Sequence, residues 1–546
     1  RQDECICGMP SVALLLFVIC TFAHLADGSN HWRHRVLLNR QLKHDMRTIV
    51  RSPTVSHLTA TSPSSSSTDS SATNSAAEQL ADKMFGRYFG GARGLAKMRS
   101  ILARHRQHFR QHHKFANCTW NPRTWKHRGD SLPQLSRSPM NITTEHTDLT
   151  DYLYQGDILL SLEQAELLFP ESANVSDSRK KRQSYLATSS VWDVSKPIYY
   201  EIYNVSTSAT AMIRAGLQYW SNNTCVNYAE STTALPRLRF VNASGCWSFV
   251  GKITSTTTQD ISIGTGCDSY RTITHEIGHS LGLFHQQARS DRNTYVTVIP
   301  ADIRPAYLDQ FDIEPDTVSS YYNLSYDLGS VMHYRQREFS INSTALTLLA
   351  NDQNYQDSMA SNRWPSFVDV KQVNKHLCSA TCTNTLACEN YGYPDPRNCS
   401  MCKCPPQFDG PTCGRRNPGR GLQAWLPTCG ADLVATDLWL DVNATVGSSS
   451  TNIYEFINSC YWIVRAPSGR TLDAFITSSP STSCTDACES QGLRVGLTDF
   501  EATAMTYCCG KATPRQTTSA SNVLTFEVYT YQGLAQSRFW YRLTPQ

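Results

Sequence analysis

The chain has 546 residues, too many for one hydrophobic core, so several domains are expected. Its 50 Lys and Arg against 46 Asp and Glu leave a formal charge of only +4, which gives no basis for a nucleic-acid partner. Twenty cysteines fit an oxidising compartment and a disulfide-built protein.

Met9 opens an apolar run, Val12 to Phe22, and the small residues Ala26 and Gly28 are spaced for a signal cleavage site. Residues 1–28 therefore read as a secretory signal region, with Arg1 to Gly8 lying upstream of the expected start. The run is too short to span a bilayer and nothing longer follows, so no membrane span is expected. Ser52 to Gln79 is rich in Ser, Thr and Ala, has little to bury, and is expected to be disordered. The basic stretches His31 to Arg51 and Arg99 to Arg110 read as solvated faces. Two short features close this part of the chain: Tyr154-Gln155-Gly156-Asp157, and the tetrabasic run Arg179-Lys180-Lys181-Arg182 before Gln183.

Strand-like pieces follow at Ile198 to Tyr203, Leu238 to Val241 and Ile261 to Ile263, with a helical stretch around Ser208 to Ser221. Then comes the most informative segment, His275-Glu276-Ile277-Gly278-His279-Ser280-Leu281-Gly282-Leu283-Phe284-His285. On a helix, positions i and i+4 share a face, so His275 and His279 can point at one ion. Gly282 ends the helix, because glycine accepts the left-handed conformation, and lets the chain return with His285. Three protein ligands leave one position open, the pattern of catalytic rather than structural zinc. Glu276 projects roughly 100° around the helix from His275, placed to take a proton from water rather than to bind metal. A core helix carrying three histidines by chance is the bland alternative; each further fixed residue cuts such matches by about an order of magnitude. Downstream lies Ser330-Val331-Met332-His333-Tyr334.

Together with His285 to Arg292, this second element resembles the Met-turn of metzincin proteases and, more narrowly, the astacin family. The resemblance implies a two-lobed α+β protease domain over about 183–378, holding one Zn2+, with Met332 packed under the histidines. It implies Tyr334 as a possible fifth zinc ligand that also stabilises the oxyanion, and Glu276 as general base. Astacins carry glutamate after the third histidine, facing the mature amino terminus; here Gln286 stands there and cannot form an ion pair. Tyr154-Gln155-Gly156-Asp157 is similar to the F-x-G-D motif of astacin propeptides, which implies that 29–182 is a propeptide and that Asp157 binds zinc in the latent form. The tetrabasic run then becomes the release point, cleaved after Arg182 by a proprotein convertase.

Outside the first 182 residues, sixteen cysteines divide as four, six and six. Gly245 to Gly251 also resembles astacin sequence, and the family implies Cys225 with Cys378 and Cys246 with Cys267. Residues 379–413 resemble an EGF-like module, implying Cys382 with Cys399, Cys388 with Cys402 and Cys404 with Cys413; no histidine lies among these cysteines to favour a zinc knuckle. Residues 429–546 alternate apolar and polar positions and, through Cys460 to Gly469, resemble the CUB β-sandwich, implying Cys429 with Cys460. The pairing of Cys484, Cys488, Cys508 and Cys509 stays open. Sequons stand at Asn141, Asn174, Asn204, Asn222, Asn242, Asn323, Asn342 and Asn443.

This order of modules is most like the astacins of nematodes. The expected function is a secreted, zymogen-activated zinc endopeptidase acting on extracellular proteins, such as matrix, cuticle or envelope proteins, with a matrix partner reached through the EGF-like and CUB modules. The competing class is a catalytically idle adhesion protein on the same scaffold. Glu276 and all three histidines argue against it, since an idle relative could lose the glutamate freely.

Overall fold

A computed structural model describes residues 70–112, 149, 151–170, 190–314, 319–383, 386–424, 426–450, 452–485, 487–512 and 516–545. The signal region, the tetrabasic run with Arg182 and Gln183, and the sequons Asn141 and Asn174 lie outside the described residues.

Two helices, α1 (Ser70–Phe89) and α2 (Ala92–His112), turn at Gly90 and Gly91, both at positive φ. Their apolar positions recur at helical spacing: Ala81, Phe85, Tyr88 and Phe89 on α1, and Leu95, Met98, Ile101 and Leu102 on α2, all buried. That stripe packs onto Trp247 and Phe249; Phe85 meets Trp247 edge-on at 5.2 Å and Tyr88 meets Phe249 at 5.0 Å. Two expectations are corrected here. Ser70 to Gln79, read as too polar to order, is helical, because a helix anchored by Phe85 and Tyr88 propagates at one hydrogen bond per residue through Ala- and Gln-containing sequence. The basic stretch on α2 is more than a solvated face: Arg106 bonds Asp151 at 2.9 Å and Asp309 at 3.0 Å, and Arg99 pairs with Glu78 and Asp151.

A five-stranded sheet forms the upper lobe, from β1 (Ile198–Tyr203), β2 (Tyr228–Glu230), β3 (Arg237–Val241), β4 (Cys246–Ser248) and β5 (Thr258–Ile263). The order is β2-β1-β3-β5-β4, with β4 alone antiparallel to its neighbour. Two helices, α4 (Thr207–Asn223) and α5 (Tyr270–Ser280), pack against it through Ile213, Leu217, Trp220, Ile273 and Ile277. The short α3 (Leu162–Leu168) precedes them, capped by a reciprocal Ser161/Gln164 box. Below the cleft, β6 (Val296–Val298) pairs with β7 (Leu348–Ala350) beside a cluster including Tyr307, Phe311, Tyr326 and Phe339. The final helix of the lobe, α6 (Phe367–Leu377), is joined to the end of α4 by Cys225–Cys378; Cys246–Cys267 ties β4 to the loop before α5.

Residues 382–416 hold two small two-stranded ladders stapled by Cys382–Cys399, Cys388–Cys402 and Cys404–Cys413. The C-terminal part is a β-sandwich. One five-stranded sheet includes Ile453–Arg465 and Val523–Gln532; the other, four-stranded, includes Leu440–Gly447 and Leu534–Leu543. Trp462, Phe526, Val528 and Phe539 fill the space between them. Cys429–Cys460 closes one end, and the open pairing resolves as Cys484–Cys509 and Cys488–Cys508. Asn204, Asn222, Asn242, Asn323, Asn342 and Asn443 are all exposed. Among the described residues, no helix is long and apolar enough to cross a membrane.

Candidate metal centre

The centre is built on α5, started by Ser269, whose side chain accepts from Thr272 N. All residues from Arg271 to Ser280 are buried, and Gly282 follows at φ +101°, turning the chain so that His285 returns to the face of His275 and His279. Ligand atoms of His275, His279, His285 and Asp157 lie within 4.8 Å of one another. Nε2 of His275 lies 3.2 Å from Asp157 Oδ2; Nε2 of His285 and of His279 lie 3.1 and 3.6 Å from Asp157 Oδ1.

The other ring nitrogen of each histidine is occupied. His275 Nδ1 donates to Val331 O (2.8 Å), His279 Nδ1 to Leu283 O (2.7 Å) and His285 Nδ1 to Gln155 Oε1 (2.9 Å). Such outer bonds fix the tautomer and leave each Nε2 lone pair facing inward. Burial pushes His275 down to about 4 and lowers His285 as well, so both imidazoles are neutral, as a metal ligand must be. Burial opposes charge on Asp157, but His285 first, with His275 and His279 beside it, outweighs that, and its carboxyl stays well below the usual range.

Inside this pocket, His279 Nε2 and Asp157 Oδ1 have no hydrogen-bond partner, nor does either oxygen of Glu276. Buried polar atoms are rarely left so, and the orphaned atoms converge with the donor chemistry of one Zn2+. The residues present fit that ion. Glu276 is fully buried, and burial followed by the charge of Asp157 raises it well above the carboxylate range. Tyr334 also faces the site, its hydroxyl donating to Gln155 O at 2.5 Å, with its ring 4.9 Å from that of His285. Met332 packs beneath, close enough that a Cβ on Gly278 would come within 3.0 Å of its sulfur.

Three supporting residues went unnoticed in the sequence. Arg271, buried in α5, donates to the carbonyls of Ser330, Val331, His333, Ala360 and Asn362, and so pins the Met332 turn. Asp369 accepts from Ser330 Oγ (2.5 Å) and Val331 N (3.1 Å) on the other side. Gln155, held at φ +48°, bonds His285 and also donates to Glu314 Oε1 (3.0 Å). An arginine one position after a helix start carries no local mark of this role; its five acceptors lie 59 to 91 residues away. Gln286 is buried, its N donating to Met332 O (2.9 Å), and its side-chain oxygen is placed to accept from Asp327 N (2.8 Å).

Residues 185–378 match the model of the peptidase family described as Astacin. The chain is 35% identical over 402 residues to zinc metalloproteinase nas-28 of Caenorhabditis elegans, covering 71% of this chain and 80% of that protein. It is 34% identical to zinc metalloproteinase nas-31 of the same organism, covering 70% of this chain and 61% of that one. Among solved structures, the hatching enzyme zinc-protease high choriolytic enzyme 1 of Oryzias latipes is 27% identical, covering 34% of this chain and 94% of that one, with a TM-score of 0.31. The chain belongs to the astacin family of zinc metalloendopeptidases.

Proposed function

We propose that this enzyme is a secreted endopeptidase held latent by its own pro-segment and released by cleavage after Arg182. The observation that carries the reading is Asp157, in a segment N-terminal to the protease domain, set among three inward-facing Nε2 atoms beside an unpaired glutamate. His275, His279 and His285 would hold the zinc, with Asp157 as fourth donor in the latent form. Zinc, when bound, would supply Lewis-acid polarisation of the scissile carbonyl and acidify water. Glu276 takes the proton at its free carboxylate oxygens and hands it to the leaving amine. Tyr334, once its hydroxyl is released from Gln155 O, donates to the oxyanion. Eight disulfides and six exposed sequons among the described residues support an extracellular setting, and proteins of matrix, cuticle or egg envelope are the substrate class. Glu276→Gln tests the assignment of the base: zinc content by atomic absorption should stay at one per chain while peptidase activity falls by about three orders of magnitude or more. A mutant with parental activity overturns it.

A further inference from the structure

A tethering module needs only a linker, yet the C-terminal sandwich reaches deep into the protease domain. Its loop between the strands Gln491–Gly496 and Met505–Tyr507 presents Glu501 and Thr503 to the segment leading into the Met332 turn. Glu501 accepts from Ser325 N (2.8 Å) and from Lys371 Nζ (2.5 Å) on α6. Thr503 N donates to Asp327 Oδ1 (3.0 Å), the same oxygen that accepts from Gly329 N (2.9 Å). Asn362 Nδ2 bridges Thr503 Oγ1 and Gly329 O, both at 2.8 Å, while Arg494 of the sandwich donates to Asn362 Oδ1 (2.8 Å).

These contacts do not stop at the interface. Asn362 O accepts from Arg271 Nη1 (2.6 Å), and Arg271 Nη2 holds Val331 O (3.1 Å). Val331 O is the acceptor of His275 Nδ1. The path from Thr503 to a metal-facing histidine therefore runs through Asn362, Arg271 and Val331, each link a hydrogen bond. Asp327 is wholly buried, and Glu501, Lys371 and Arg494 are buried too. Removing the Glu501 carboxylate within the intact chain would leave Lys371 Nζ and Ser325 N short of a partner in a low-dielectric setting, where such loss is costly. The fit is also close: a Cβ on Gly329 would collide with the Thr503 side chain.

We propose that the sandwich is a structural part of the metal centre, with Glu501 and Thr503 as positioning residues that hold the 325–333 segment and, through it, His275. The proposal rests on the reading of His275 as a zinc ligand. Outer-sphere partners of ligating histidines are typically worth 10- to 100-fold in metal affinity, and a support further out is expected at the lower end.

Metal loss to a competing chelator is timed on the zinc-loaded full chain, and kcat and KM are measured on a peptide after cleavage at Arg182. Glu501→Ala combined with Thr503→Val should speed zinc loss by about tenfold and lower kcat with KM held, and the cobalt-substituted chain should show an altered visible spectrum. Thr503→Ser alone, which keeps the hydroxyl acceptor, should hold parental values, and Leu438→Ser, at an exposed surface position, should match the parent. Thr503→Val alone, a near-isosteric change, covers the case in which the double variant does not fold; about threefold faster zinc loss is expected. Parental zinc loss in a folded double variant, or in Thr503→Val alone, overturns the buttress. A parent chain that holds no zinc overturns the metal reading, and the buttress with it.

Discussion

Gln155→Ala is the sharpest probe of the proposed latency, because on that reading the residue lies in the pro-segment and leaves with it. Its side chain is wholly buried and bonded at both ends: Oε1 accepts from His285, and Nε2 donates to Glu314 and to Tyr154 Oη (3.1 Å). Alanine removes these bonds, each worth about 1 kcal/mol net, and strands the His285 donor in a dry site at a further cost of about 1–3 kcal/mol. A loss of about 3 kcal/mol from the closed state corresponds to roughly a hundredfold larger open fraction. The assay is hydrolysis of a small fluorogenic peptide by precursor in which Arg179 to Arg182 are replaced by alanine, so that the chain stays intact. Leak should rise by about two orders of magnitude, bounded above by the activity of the mature enzyme. After cleavage of an otherwise native precursor, the variant and the parent should have identical kcat/KM, since the mature sequence is unchanged. A leak within twofold of the parent refutes the reasoning and leaves Asp157 to hold the latch alone.

Phe85→Ala empties a fully buried site against Trp247 and Tyr152, and should weaken docking of α1 and α2 by about 3–5 kcal/mol; faster limited proteolysis of α1–α2 in the precursor checks it. Deleting Cys225–Cys378, which closes a separation of 153 residues, should cost about 5 kcal/mol on the chain-entropy model, read as a lower urea midpoint. Burial pushes Glu314 up to about 8, with bonds from Tyr154 and Gln155 working against it and Asp312 adding to it. The closed precursor thus holds a proton that a solvated glutamate, at its ordinary 4.5, releases. Closure should be strongest below that ordinary value and weaken by up to about 1.4 kcal/mol per pH unit as pH rises toward 8. The ratio of precursor to mature activity should therefore climb with pH, and Glu314→Gln should flatten it; an unchanged slope in the variant counts against this account.

The metal centre was legible because its logic is local. Ligands four positions apart on a helix, a glycine to end it and a third ligand soon after are all constraints that act within eleven residues. Asp157 came into view only through resemblance, since Gly156-Asp157 alone has no chemistry that distinguishes it from a turn. Gln155, Arg271 and Asp369 stayed hidden for a common reason: each acts on backbone or ring atoms brought close by tertiary folding, and their neighbours in sequence carry no trace of it. Composition misled at Ser70 to Gln79, where few apolar side chains were taken to mean disorder; the anchoring came from the next turns of the same helix. The vicinal Cys508-Cys509 pair was undecidable by counting, and depends on where the sandwich places Cys484 and Cys488.

The three histidines differ in who supports them. Val331 and Leu283, which accept from His275 and His279, belong to the protease domain. Gln155, which accepts from His285, lies in the proposed pro-segment, as do the carbonyl that engages Tyr334 and the Asp157 carboxylate beside the inward-facing nitrogens. On the proposed mechanism, loss of the pro-segment therefore changes three atoms at once: the metal position loses Asp157, the Tyr334 hydroxyl becomes free to donate, and His285 Nδ1 must find another acceptor. Latency built this way is more than a plug in a cleft. A precursor lacking only the Asp157 carboxylate would still hold Tyr334 and His285 in their closed partnerships, so its activity should remain below that of the mature enzyme even with the metal position open.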